Sequence, residues 1–166
     1  MVFEEIYKKY YPELKRFTIQ LYSDSEEVDD FIQDVFYSLY KITLDCSEIE
    51  NPRAWLYKAM LNKIRSKYKT SQNHQQKDQE MIYKTESCFD LNEDLEQKEK
   101  KRIVFEIIET LDKRDKELII LYYDGFSYSE IAEIIGIKTS SIGTTLLRVI
   151  EKIKNSLKNQ YHEMFE

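Results

Sequence analysis

Six cationic side chains and no acid stand between residues 52 and 70: Arg53, Lys58, Lys63, Arg65, Lys67 and Lys69. A solvated helix face usually mixes both signs. A one-signed stretch suits phosphates, whose condensed counterions it displaces. Trp55 and Tyr57 interrupt the run, and aromatic rings among bases stack on unpaired nucleobases for about 1–3 kcal/mol each. The competing reading is a lysine-rich solvated surface. For Trp55 alone the stronger reading is core, since it shares helical spacing with Leu56 and Met60. Residues 23–35 are the opposite case, with Asp24, Glu26, Glu27, Asp29, Asp30 and Asp34 and no base. Adjacent carboxylates such as Asp29 and Asp30 suit acid–base chemistry or a divalent cation, but no histidine or glycine-rich loop accompanies them. They read as a solvated face or as a docking surface, with Gln33, Asp34, Phe36 and Tyr37 beside apolar ridges.

A second group lies between Ser127 and Ile150, SYSEIAEIIGIKTSSIGTTLLRVI. Ser127 and Glu130 have the spacing of a capping box ahead of an apolar run. Ala132 is small where two helices must cross, and Gly136 stands where a turn needs positive φ. Ile142 returns to the core. This is a helix-turn-helix pattern, whose second helix enters the DNA major groove. Its reading face carries Thr139, Ser140, Ser141, Gly143, Thr144 and Thr145, with no base before Arg148. That is a neutral surface for a polyanion.

These residues all fall on helical patterns. Phe3, Ile6, Tyr10, Leu14, Phe17 and Leu21 make one stripe at spacings of three and four, which predicts a helix over 3–21. Pro12 is expected to kink or restart it. Val28, Phe31, Ile32, Val35, Phe36 and Leu39 give a wide apolar face to a second helix from about Ser25, followed by a loop over 43–50. Asn51 and Pro52 predict the cap and first turn of a third helix, with Trp55, Leu56, Ala59, Met60 and Ile64 inward. Lys58, Asn62, Arg65 and Lys69 share its other face. The periodicity then stops. It resumes near Asp94 with Leu95, Ile103, Ile107, Ile108 and Leu111. Asp112 is expected to cap a further helix, with Asp115 at its third position, Leu118, Ile119 and Leu121 inward, and Gly125 at its end. The last helix is expected to reach about Tyr161.

The bulk numbers agree with an all-α chain. Its 166 residues include three glycines and two prolines, too few for a turn-rich β fold. The expected layout is two small helical domains, 1–70 and 94–166, joined by a flexible acidic linker over 71–93. The net charge of −6 argues weakly against nucleic acid, but the charge is segregated into blocks that create local fields. No run of about 18 apolar residues is present, so no membrane insertion is expected. The N-terminus carries acids and no apolar core, unlike a secretory signal. Cys46 and Cys88 lie in no CxxC and read as reduced thiols of a cytoplasmic protein. His74 and His162 lack partners at metal-ligand spacing. No metal, cofactor or catalytic set is expected, so the chain reads as a non-enzyme.

Taken in order, FEEIYKKYYPELKRF, EEVDDFIQDVFYSLY, NPRAWLYKAMLNKIRSKYK and LDKRDKELIILYYDGFSYSEIAEIIGI resemble a bacterial RNA polymerase sigma factor of the sigma-70 family. The resemblance is greatest to the compact extracytoplasmic-function type and covers nearly the whole chain outside the linker. It implies partners, core RNA polymerase and promoter DNA, and it permits an anti-sigma protein. It implies polymerase contacts at Asp29, Asp30, Gln33, Asp34 and Phe36. The loop over 43–50 would hold a flipped base of the minus-ten element, and Arg53, Trp55, Lys58, Asn62, Lys63 and Arg65 would melt and hold that element. The linker would thread toward the RNA exit path. Thr139, Ser140, Ser141, Thr144, Thr145 and Arg148 would read the minus-thirty-five element, with the second domain resting on the polymerase flap.

Three positions depart from the family pattern. Lys138 stands where a serine usually caps the recognition helix, so Thr139 is expected to cap instead. Gly143 and Thr145 replace a lysine and an arginine. Gly143 reads either as a tolerated exchange or as a site of close backbone approach to DNA. The expected result is weaker or more AT-leaning readout of the upstream element. Two other readings remain at this point: a stand-alone helix-turn-helix regulator that binds duplex DNA without polymerase, and a sigma-like decoy that occupies polymerase without reading DNA.

Overall fold

The computed structural model describes residues 3–22, 25–45, 49–72 and 95–160, and every regular element among them is a helix. The chain divides into two compact units, Met1–Tyr83 and Lys84–Glu166. The expected linker from residue 73 onward, residues 46–48 of the expected loop and the side chain of Leu95 lie outside the described residues.

The first unit is a three-helix bundle of α1 (Phe3–Leu21), α2 (Ser25–Leu44) and α3 (Pro52–Gln72), each packed on the other two. α1 runs through Pro12 without restarting. The Ile6–Tyr10–Leu14–Phe17 stripe is buried on both sides of the proline, and that burial outweighs the loss of one backbone donor. All six apolar residues expected on α2 are buried. The helix runs to Leu44, past the point where a loop was expected, with Thr43 Oγ1 donating to the Tyr40 carbonyl at 2.7 Å. α3 begins as its sequence predicts. The Asn51 side chain accepts the Ala54 N–H at 3.0 Å, and its carbonyl accepts the Trp55 N–H at 3.1 Å.

The second unit contains α4 (Leu95–Glu109), α5 (Lys113–Tyr123), α6 (Tyr128–Ile135) and α7 (Thr139–Gln160). α4 and α6 pack on α7, and α5 packs on both α6 and α7. Asp112 caps α5 by accepting the Asp115 N–H at 3.0 Å. Leu118 and Leu121 are buried as expected, but Ile120 takes the inward place expected of Ile119. Ile119 is half-buried; the helix meets α6 and α7 together, so its buried face is wider than one stripe and takes in Ile120. Gly125, at φ 82°, follows the helix. α6 is fixed at both ends. The Ser127 N–H donates to Glu130 Oε2 at 2.9 Å, and the Glu130 N–H donates to Ser127 Oγ at 3.3 Å. Gly136 closes the helix in the left-handed region at φ 82° and ψ 43°. Ala132 and Ile142 are buried between the two helices of the motif.

Candidate nucleic-acid interface

The basic helix sorts its residues onto different sides. Trp55, Lys58, Asn62, Arg65 and Lys69 follow one another at spacings of three and four, so they share a stripe. Asn62 and Lys69 are exposed, and Trp55, Lys58 and Arg65 are half-buried. Trp55 therefore sits on the outward stripe and not in the core. Tyr57 is the reverse. It is fully buried, with its ring 4.5 Å from that of Phe17, and it has no face left for a base to stack on. Leu61 and Ala54 join it in the core, while Ala59 is half-buried.

Arg53 and Lys63, both expected to bind DNA, are committed within the unit. Arg53 turns to α1, its Nε donating to Glu13 Oε2 at 3.0 Å. Lys63 lies at the α2 edge, where its ammonium donates to Asp34 and sits 5.3 Å from the Phe31 ring centre. Lys67 reaches Glu27 on α2 in the same way. Lys67, helped by the Tyr22 hydroxyl, holds the Glu27 carboxyl below its ordinary value.

The acidic helix is also divided. Asp29 and Asp34 are five residues apart, about 140° around a helix. Asp29 lies toward α1, where it accepts from Lys15 at 2.8 Å; that hydrogen bond lowers the Asp29 pKa and raises that of Lys15. Asp34 lies toward α3. Asp30, Gln33 and Tyr37 occupy the outward face between them, and all three are exposed. The Lys41 ammonium covers the Tyr37 ring at 4.3 Å. Phe36 corrects the sequence-based expectation. It is 2% exposed and packs on Tyr7 with ring centres 4.7 Å apart, so its side chain belongs to the core and cannot meet a partner.

In the second unit the expected reading residues are likewise divided. Thr139, Ser140, Ser141 and Thr144 are exposed near the start of α7. Thr139 is the first helical residue, so Lys138 keeps the cap position and its carbonyl accepts the Ser141 N–H at 2.9 Å. Thr145 is half-buried, and its hydroxyl donates to the Ser141 carbonyl at 2.7 Å, which leaves it no proton to offer a phosphate. Gly143 faces α6: an added Cβ would lie 3.6 Å from Tyr128 Cε2. Arg148 is bound by the Asp115 carboxylate of α5 at 3.0 Å. Leu147 was missed. It is 67% exposed, three residues after Thr144 and seven after Ser140, a spacing that could have identified it as part of the same face. Glu151 is exposed one turn further on. Among the described residues no His, Cys, Asp and Glu group could hold a metal ion, and no helix is long and apolar enough to cross a membrane.

The comparisons with known proteins fall on these two units separately. Residues 6–74 match the family model for sigma-70 region 2, and residues 101–153 match that for sigma-70, region 4. The chain is 26% identical to the RNA polymerase sigma factor YlaC of Bacillus subtilis (strain 168), over 96% of this chain and 95% of that protein. Among solved structures it is similar to the sigma factor RpoE in complex with the anti-sigma factor NepR from Bartonella quintana. There the TM-score is 0.70 and the identity 22%, over 95% of this chain and 98% of that one. CnrH, in complex with the cytosolic domain of CnrY, gives a TM-score of 0.66 at 22% identity, over 95% and 88% of the two chains. With region 2 ahead of region 4 and each confined to one helical unit, the chain belongs to the sigma-70 family of RNA polymerase sigma factors.

Proposed function

We infer that the chain binds core RNA polymerase, recognises a promoter and directs transcription initiation. The carrying observation is the presence of both sigma regions in order, one on each unit. The first unit is assigned polymerase docking and the minus-ten element, and the second the minus-thirty-five element.

Docking is assigned to the outward face of α2: Asp30 and Gln33 at its centre, with Asp29 and Asp34 at its edges. The minus-ten element is assigned to Trp55, Lys58, Asn62 and Arg65. Lys63 joins them only where DNA competes with Asp34 for its ammonium. The upstream element is assigned to Ser140, Ser141, Thr144 and Arg148, with Leu147 as an apolar contact suited to a thymine methyl. Such a surface supplies few charge-assisted bonds, and a helix held on DNA by polymerase needs fewer than a free repressor does. The chain works in the cytoplasm and has no enzymatic activity of its own. Two structurally similar proteins, the sigma factor RpoE and CnrH, are bound by NepR and by the cytosolic domain of CnrY, and a protein partner of that kind is proposed here as well.

Purified chain added to core polymerase over a randomised promoter library should yield transcripts from a defined subset of templates. Failure to bind core at low salt would overturn the assignment, and a palindromic footprint by the chain alone would replace it with a stand-alone regulator. Core binding without any promoter selection would favour the decoy.

A further inference from the structure

Asp115 is 2% exposed, yet both of its carboxylate oxygens are engaged by cations from the recognition helix. Arg148 Nη2 donates to Oδ1 at 3.0 Å, and the Lys152 ammonium donates to Oδ2. Lys152 also reaches Asp112 Oδ2 at 3.3 Å, and Asp112 in turn accepts the Asp115 N–H, so the start of α5 forms one anchored cluster beneath α7. The Arg148 side chain nonetheless remains 62% exposed. A guanidinium is a planar fork with five N–H donors. Held by one nitrogen on a buried carboxylate, it has lost part of its freedom and keeps its outer edge in solvent. Arg148 follows Thr144 by four residues and Ser141 by seven, so that edge borders the exposed hydroxyl face.

We propose that Asp115 is a positioning residue: it orients the Arg148 guanidinium so that its outer edge takes a backbone phosphate of the upstream duplex. The proposal rests on the assignment of α7 to that element. It accounts for how a nearly neutral helix can grip DNA. One arginine held in place before binding does not lose side-chain freedom on contact, whereas a free lysine or arginine does.

Holoenzyme affinity for a promoter is compared with that for the same promoter with its upstream element scrambled. Asp115→Asn should lower the preference for the intact element about tenfold, the size of one charge-assisted hydrogen bond. Arg148→Ala should do the same, and the double variant should lose no more than either alone. Equal effects on both templates, or additive losses, would mean that Asp115 only supports the fold. A gain in affinity would mean that it competes with phosphate, and either result overturns the proposal. Should Asp115→Asn unfold the second unit in a thermal melt, Arg148→Lys decides: it keeps the charge but not the fork, and full retention of the preference overturns the proposal. A wild-type holoenzyme indifferent to scrambling would instead overturn the assignment of α7, and the proposal with it.

Discussion

Gly143 sits in the second turn of α7, where nothing in the backbone requires a glycine, and its missing Cβ would make an ordinary contact with Tyr128. Gly143→Ala should therefore stabilise the second unit by about 0.5–1 kcal/mol, the usual difference between the two residues inside a helix. A thermal melt of the full chain reads this directly. Because the position faces α6, the upstream preference should survive the exchange, and its loss would restore the idea of close backbone approach to DNA. Asp34 tests the opposite unit. Asp34→Arg replaces a carboxylate at the docking edge and sets a second cation beside Lys63. Core polymerase affinity should fall, while the paired charge itself, being exposed, contributes only about 0–1 kcal/mol to folding. Unchanged affinity would remove that edge from the interface.

At the scale of elements, the caps carry much of the local specification. Ser127→Ala removes the acceptor of the Glu130 N–H and should cost about 1 kcal/mol, read by chemical denaturation. Acid should act through several carboxylates at once. Lys67 holds Glu27, Lys15 holds Asp29 and the Asp115 N–H holds Asp112 below their ordinary values. The stability each contributes is complete above the unfolded carboxylate value of about 4 and is lost as pH falls through the lower folded value. Unfolding should steepen below that point, and Asp112→Asn should flatten the dependence for the second unit. These ends and caps were legible in the sequence because capping is local, as was the α2 face, whose apolar spacing is unambiguous. The basic helix was not. Ala54, Trp55, Leu56 and Tyr57 are four successive apolar residues, so spacing could not say which ring points inward. The pairs Arg53–Glu13 and Lys63–Asp34 join residues 40 and 29 positions apart, a relation that only packing reveals. The same holds for Arg148 and Asp115, and Phe36 was misjudged because one stripe was asked to serve both core and partner.

For the whole molecule, the proposed function gives the two units separable grips on DNA. Trp55→Ala should reduce strand opening at the minus-ten element, measured by the reactivity of unpaired thymines, while the upstream footprint of the holoenzyme persists. Loss of both together would mean that Trp55 supports the fold of the first unit. The second unit raises a different issue. α6 is only eight residues long and is pinned by a capping box at one end and a left-handed glycine at the other. It acts as a ratchet tooth of fixed pitch between the core and the reading helix. One residue inserted into it would turn everything beyond by about 100°. Ile134 and Ile135 would be turned away from the core, and Gly136 would launch α7 in a direction rotated by the same angle. Mutational drift in this unit is thus free to change letters along the proposed reading face, but changes of length between Ser127 and Gly136 are closed to it.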